Sequence, residues 1–372
     1  VEQRKVHGTG RKLGLAGVLG LGSLALVGCE VAPPDNGFFH ALRMGWPDGI
    51  TPEAESMGNF WVWTWVVAWI IGIIMWTLMF VVIFRDSDKR AKKKGKPEFP
   101  RQTQYNVPLE LVLTVVPVLI VMGLFFFTVQ TQDKVTAHDK NPEVSVDVTA
   151  YQWNWKFGYG EVDGKFTSNG ETYNGEDTDR ADAAEAAAEV PQDDRDEHGK
   201  SVGPIHGKLK DDFTYLNYNK IETLGTSEEV PVLVLPVNTP IQFDLASSDV
   251  IHSFWVPEFL FKRDLFPHPE ANQSERKFQI EEIDETGAFV GRCAEMCGTY
   301  HAMMNFEVRV VEQDQFADYM AFREANPDAS NADALREIGE APYATSTKPF
   351  VPGRDATRGV DGDSNYIDSP AS

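Results

Sequence analysis

The run FWVWTWVVAWIIGIIMWTLMFVVIF, residues 60–84, carries no charged side chain, and the uncharged stretch around it extends from Glu55 to Arg85. Trp61, Trp63, Trp65 and Trp69 crowd toward one end, where an aromatic belt at a membrane surface would lie. A second uncharged stretch runs from Leu111 to Gln132. Each exceeds the roughly 20 residues that carry a helix across a bilayer. The bland alternative is the core helix of a soluble protein. Two such lengths in one chain instead predict a transmembrane hairpin, with spans over 57–84 and 107–132 and a kink at Pro117 in the second.

Residues 85–101 hold eight basic side chains against three acidic ones. Positive charge beside span ends stays in the cytoplasm, so the loop 85–106 faces inward and both flanking regions face outward. Neither span contains histidine, so no haem iron is ligated by imidazole within them. Glu110, at the cytoplasmic mouth of the second span, reads either as a solvated interfacial carboxylate or as the entrance of a proton path. Ahead of the spans, Arg4, Lys5, Arg11 and Lys12 precede an uncharged run from Leu13 to Val27, the pattern of a signal peptide over 1–28. It ends Leu26-Val27-Gly28-Cys29, which resembles a bacterial lipobox and marks Cys29 as a lipidated anchor before an outer segment, 29–56. A lipobox also requires Cys29 to lie outside, in agreement with the loop charge.

The 372 residues carry 34 basic and 56 acidic side chains, a net charge of -22, which excludes nucleic-acid binding through a basic surface. A hydrophobic content of 42% is too low for a polytopic transporter, and three cysteines are too few for a disulfide scaffold. The signal peptide and the cytoplasmic loop are both net basic, so the negative charge belongs to the outer region. There the hydrophobic period changes to two. Val144, Val146 and Val148 alternate with polar residues, and further strands are expected at 232–235, 241–245, 277–283, 288–292 and 305–311. Short strands separated by Pro, Gly and Asn predict a sandwich or barrel over 133–326. An acidic insertion over 161–230 interrupts it. Its first forty residues hold 13 acidic and 4 basic side chains, so it is expected to be solvated and partly helical near 181–189. A short helix is expected over 315–325, and the tail 327–372 reads as extended or disordered unless a partner orders it.

The chemistry is concentrated in CAEMCGTYHAMM, residues 293–304, with DVIH, residues 249–252, far upstream. Two thiolates, two imidazoles and a thioether form a soft-to-borderline donor set suited to copper. A four-residue cysteine spacing in a loop lets both sulfurs, Cys293 and Cys297, bridge two metals. Each copper would then take one histidine, His252 or His301. Met304 would be a weak axial donor on one side and the Glu295 carbonyl on the other. Three alternatives stay open on these residues: a Cys293–Cys297 disulfide, a structural Cys2His2 zinc, and a mononuclear copper with one Cys, two His and Met. The second cysteine argues against the last, and Met304 has no purpose for zinc.

This constellation resembles the copper A site of the cytochrome c oxidase subunit 2 family, and the likeness covers about residues 50–160 and 230–325. The resemblance implies a helical hairpin followed by an all-β cupredoxin-like Greek-key sandwich on the outer face of a bacterial cell membrane. It implies dinuclear copper held by His252, Cys293, Glu295, Cys297, His301 and Met304, with a magnesium ion reached through the Glu295 carboxylate at the boundary with a haem-bearing subunit 1. YQWNWKFGY, residues 151–159, resembles the family's aromatic patch, and Trp153 matches the residue at which electrons enter; Trp155 and Phe157 read equally well as core. Leu109-Glu110 resembles the start of the family's second helix, near a proton channel of subunit 1. Asp249 is a candidate for partner docking. His268 is expected at the surface.

The implied activity is electron acceptance from cytochrome c and delivery to haem in subunit 1, where oxygen is reduced to water and protons are pumped. Subunits 1 and 3 would be partners. The lipobox and the insertion look like the form found in oxidases joined to a cytochrome bcc complex, where a tethered dihaem cytochrome c is the donor. The rival readings are a quinol oxidase relative, which lacks the copper ligands, a membrane-tethered copper carrier lipoprotein, and a zinc-stabilised module.

Overall fold

A computed structural model describes residues 32–85, 87–95, 97, 104–138, 141–188 and 212–349. The signal peptide, Cys29, part of the basic loop, the middle of the acidic insertion and the end of the tail lie outside the described residues. The chain divides into two compact units, one built on two long helices and one on β-sheets.

In the helical unit, α1 (Gly37–Leu42) precedes α2 (Pro52–Arg85), α3 (Asp88–Lys93) and α4 (Val107–Thr136). Helices α2 and α4 are long and apolar enough to cross a membrane. At about 1.5 Å per residue both outrun the roughly 30 Å hydrocarbon layer, which is why they extend past the uncharged runs. Pro117 lies inside α4. The start of α4 is a reciprocal cap: the Asn106 side chain accepts from Leu109 N at 3.3 Å, and the Glu110 carboxylate accepts from Asn106 N at 2.8 Å. Glu110 therefore has a local structural task. An aromatic cluster gathers beside α2. Trp46 stacks on Trp61 at 4.4 Å, Phe39 meets Trp63 at 5.9 Å, and the Trp61 indole donates to the Arg43 carbonyl.

The β unit is a sandwich of two mixed sheets. Its strands are β1 (Val144–Tyr151), β2 (Asn154–Val162), β3 (Tyr173–Asn174), β4 (Glu222–Leu224), β5 (Val232–Pro236), β6 (Ile241–Ser247), β7 (His252–Val256), β8 (Phe261–Leu265), β9 (Lys277–Ile280), β10 (Gly287–Cys293) and β11 (Asn305–Val311). One sheet has the order β3-β2-β1-β6-β9, with β4 also on β2, and the other β5-β11-β10-β7-β8. The pairs β1–β6 and β5–β11 are parallel and the remaining pairs antiparallel. Val144, Val146 and Val148 face inward, as their spacing predicts, against an aromatic core that includes Trp155, Phe243, Phe254 and Phe306.

The polar face of β1 is also covered, which the period of two does not reveal. Asn217 and Asn219 donate to the Asp147 carboxylate at 2.6 and 2.7 Å. Burial pushes that carboxyl above its usual range, and the two amide bonds partly offset the shift. These asparagines belong to the segment expected to be solvated. Its described parts instead fold onto the sandwich. Helix α5 (Thr178–Ala188) falls close to the expected position, and β3 and β4 join the first sheet. The Lys156 ammonium and the Arg180 guanidinium each lie 5.2 Å from the centre of the Tyr218 ring, and Glu222 binds both cations at 2.8 Å.

The tail also departs from expectation. After α6 (Gln313–Ala325), residues Asn331–Glu337 form α7, with Ala334 and Leu335 fully buried. Asn331 donates to the Val232 carbonyl at 3.0 Å and so covers the open edge of β5. Farther on, Glu307 is fully buried beside Arg309 and accepts from Thr345 N and Ser346 N at 2.6 and 2.7 Å. Helix α7 has too few apolar residues to stand out in the sequence; a buried carboxylate fixes the chain beyond it. Glu307→Ala is expected to destabilise the β unit by about 3 kcal/mol, because it strips a buried partner from Arg309, and to open residues 340–346 to protease. Thermal melting and limited proteolysis read this, and an unchanged melting temperature would contradict it.

Candidate metal centre

Two neighbouring strands bring the distant motifs together. The β7–β10 ladder sets Cys293 opposite Phe254 and Arg292 opposite Trp255, which leaves His252 at the start of β7 beside the end of β10. The loop after β10 returns through a turn at His301–Met303 to β11. Cys293 N donates to the Met304 carbonyl at 3.1 Å, and Ala294 N to Ser253 at 3.0 Å, closing the loop on both sides. Gly298 is required within it. Its φ is +120°, and an added Cβ would stand 3.2 Å from the Gln152 amide and the Trp153 indole.

All six expected donors converge. Cys293 Sγ and Cys297 Sγ lie 3.8 Å apart, and both thiols are free. On one side, His252 Nδ1 is 3.8 Å and the Glu295 carbonyl 3.2 Å from Cys293 Sγ. On the other, His301 Nδ1 is 3.5 Å and Met304 Sδ 3.8 Å from Cys297 Sγ. The donors of His252, Cys293 and Cys297 lie mutually within 4.8 Å, and His301 stands at the Cys297 side. The set therefore has two halves, each with an imidazole and a weak donor, sharing a central pair of sulfurs. A single tetrahedral zinc would draw all four strong donors to one point. Soft sulfur with imidazole and thioether fits copper.

The surroundings prepare these donors. A hydrogen bond from the Cys297 thiol, against the penalty of burial, holds the Cys293 thiol below its usual range, and the same bond pushes Cys297 up. The pair thus shares a proton that a metal would displace. Burial disfavours a charged His252, but its hydrogen bonds to Asp249 and Cys293 outweigh this and raise its pKa. His252 Nε2 is 2.8 Å from Asp249 Oδ1, which leaves Nδ1 toward the sulfur. Asp249 also accepts from Val250 N and from Gln152 N, both at 2.6 Å. Its carboxylate is engaged inward, so orienting His252 is its evident structural task.

The remaining expected residues spread outward. Trp153 is half-buried, edge-on to Tyr300 at 4.9 Å, and its indole donates to the Cys297 carbonyl at 3.1 Å. The Glu295 carboxylate is 44% exposed, 3.9 Å from Lys262, so its carbonyl turns to the centre while its acid group turns to solvent. Glu110 lies in the helical unit. His268 is not the surface residue expected: its side chain is 11% exposed and its ring meets Tyr215 at 4.2 Å. Sequence reasoning missed Gln152, whose amide donates to the Cys297 carbonyl at 2.7 Å; Trp155 is fully buried, as its core reading has it, and its indole also donates to the Met304 carbonyl at 3.3 Å. Their place in the aromatic patch was the available signal; the carbonyls they meet are visible only in the fold.

Residues 213–311 match the family model described as "Cytochrome C oxidase subunit II, periplasmic domain", a segment that includes all six donors. The chain is 66% identical over 358 residues to "Cytochrome c oxidase subunit 2" of Corynebacterium glutamicum, covering 96% of this chain and 98% of that one. It is 62% identical to the protein of that name from Corynebacterium diphtheriae, over the whole of both chains. Among solved structures, the periplasmic domain of cytochrome oxidase subunit II of Bradyrhizobium japonicum is 23% identical, with a TM-score of 0.27, covering 50% of this chain and 96% of that domain.

Removing the Asp249 carboxylate frees the His252 ring to turn. Asp249→Ala is expected to weaken copper retention about 10- to 100-fold, measured by competition with a chelator on the purified protein. Unchanged retention would mean that burial alone orients the ring.

Proposed function

Because the chain belongs to the cytochrome c oxidase subunit 2 family, we propose that it is the electron-accepting subunit of a respiratory oxidase. It takes electrons from a cytochrome c at a dinuclear copper A centre and delivers them to haem in subunit 1, where oxygen is reduced to water and protons are pumped. The observation that carries this reading is the two-halved donor set around sulfurs 3.8 Å apart. Family membership makes the chain a component of the oxidase that associates with its other subunits, and a membrane protein with an outward-facing β domain.

Copper held by these residues would supply a one-electron redox couple. The chain's own residues do the rest. His252, Cys293 and the Glu295 carbonyl form one half of the cradle; Cys297, His301 and Met304 form the other. Burial of Cys293, Cys297, His252 and Met304 excludes water and keeps the donors from moving. That rigidity limits the rearrangement that accompanies a change of charge. Trp153 is the receiving residue, because its half-buried ring faces outward while its N–H reaches a ligand's backbone. Acidic outer surface steers a basic cytochrome toward it.

Further roles belong to the same reading. The Glu295 carboxylate, free of the centre, is suited to magnesium at the subunit 1 boundary. Glu110 would serve a proton path only if its cap with Asn106 opens. Lipid attachment at Cys29, after removal of residues 1–28, would tether the outer segment. The acidic insertion suits an oxidase joined to a bcc complex, with a tethered dihaem cytochrome c as donor, and subunit 3 as another neighbour.

Electron paramagnetic resonance of the purified oxidase is expected to show hyperfine lines of one electron shared over two coppers; a silent spectrum with zinc by elemental analysis would overturn the reading. His252→Ala should abolish that pattern. Trp153→Ala should keep it while slowing reduction by cytochrome c, and in the wild type that rate should fall steeply with ionic strength. A salt-independent rate would remove electrostatic steering from the account.

A further inference from the structure

Three side-chain N–H groups reach the ligand loop, and all come from the β1–β2 hairpin. Gln152 Nε2 and Trp153 Nε1 donate to the Cys297 carbonyl, at 2.7 and 3.1 Å. Trp155 Nε1 donates to the Met304 carbonyl at 3.3 Å. Cys297 and Met304 are the first and last donors of the half that also holds His301. Their carbonyls bracket residues 298–303, a stretch whose internal backbone bonds are short turns, such as His301 N to Gly298 at 3.2 Å and Met303 N to Tyr300 at 2.9 Å. Such turns set local curvature but do not fix the distance between the two ends.

The hairpin can fix it, because β1 and β2 keep one register through the six consecutive pairs from Val146–Tyr159 to Tyr151–Asn154 next to the turn. Trp155 is the buried end of the contact. It is fully buried, with its ring against Phe306 at 5.0 Å, Phe254 at 6.3 Å and the His252 imidazole at 6.4 Å. A ring so enclosed cannot swing, so the direction of its N–H is set by its neighbours. Gln152 is the outer end, and its own backbone N–H is held by Asp249 at 2.6 Å.

We infer that Gln152 and Trp155 are positioning residues. They form a two-ended brace that holds Cys297 and Met304 at a set span and so determines how closely Met304 Sδ stands to the Cys297 side of the centre. This rests on the copper reading above. A thioether is a weak, long-range axial donor, and its effect on a copper site depends on how near the protein holds it. Hydrogen bonds behind the donors are therefore a means of tuning the couple. The same Trp155 ring lies 6.4 Å, centroid to centroid, from His252 on the other half. A merely space-filling Trp155 would need no directed N–H, and that difference is testable.

Trp155→Phe removes the inner donor and keeps an aromatic ring; Gln152→Leu removes the outer donor near the surface. Phe278→Leu loosens the same aromatic core at a ring that packs on Phe243 and Phe254 and leaves Trp155's own neighbours in place. Each variant would be made in the full chain and purified as the oxidase complex. Copper hyperfine pattern, reduction potential and copper release to a chelator would then be measured. Trp155→Phe and Gln152→Leu are expected to change the pattern and the potential, and to release copper about two- to tenfold faster, the loss of one hydrogen bond each. Phe278→Leu is expected to retain the wild-type pattern and potential. Wild-type values in both donor variants would overturn the brace, as would an equal change in Phe278→Leu. If Trp155→Phe does not assemble, Gln152→Leu decides alone. A wild-type complex without the shared-electron pattern would instead overturn the copper reading itself.

Discussion

The β7–β10 ladder is the constraint on which the site depends. Two register pairs, Arg292 with Trp255 and Cys293 with Phe254, bring together residues far apart in the chain. A strand ladder fixes neighbours to within fractions of an ångström, because a slip of one residue would turn every side chain to the other face. With the register set, His252 has one place to go, beside Cys293. The ligand loop then returns to Met304, whose carbonyl accepts from Cys293 N. The two ends of the loop are thus joined before any metal arrives.

Around this ladder, three carboxylates drawn out of water are each met by several donors. Asp249 takes two backbone N–H groups as well as the His252 ring. Glu307 takes two more from the C-terminal segment, next to Arg309. Asp147 takes two asparagine amides. In each case a carboxylate pulled out of water gathers the ends of segments that would otherwise hang free. The described parts of the acidic insertion and the tail are held to the sandwich by such contacts together with apolar side chains of their own, among them Phe166, Tyr173, Ile221 and Leu335, in the core. The net charge of -22 is consequently not all surface charge: part of it organises the domain.

The readable parts of the sequence are those where local pattern maps directly onto physics. The uncharged runs marked α2 and α4, since length and absence of charge are properties of a segment alone. Period-two valines marked β1. The spacing of Cys293, Cys297, His301 and Met304 placed four side chains on one loop. Harder to read were β7 and β8, where polar residues are interspersed, and α7, which is short and held by Asn331 and by the strap beyond it. The covering of Asp147 by Asn217 and Asn219 escaped notice because acidic composition suggests solvation, and composition says nothing about which few residues in a segment find partners. His268 was misplaced for the same reason, since Tyr215 lies in that segment too.

By itself, then, the sequence determined the kinds of donor atom, the membrane hairpin and the charge that sorts inside from outside, because these follow from residue type and short-range spacing. Tertiary structure alone decided that His252 meets Cys293, that Asp249 faces inward, and that Gln152, Trp153 and Trp155 reach the carbonyls of Cys297 and Met304. Those contacts join residues up to 149 positions apart. No local pattern encodes them; they exist because strand pairing closes the chain on itself and leaves each donor a single partner within reach.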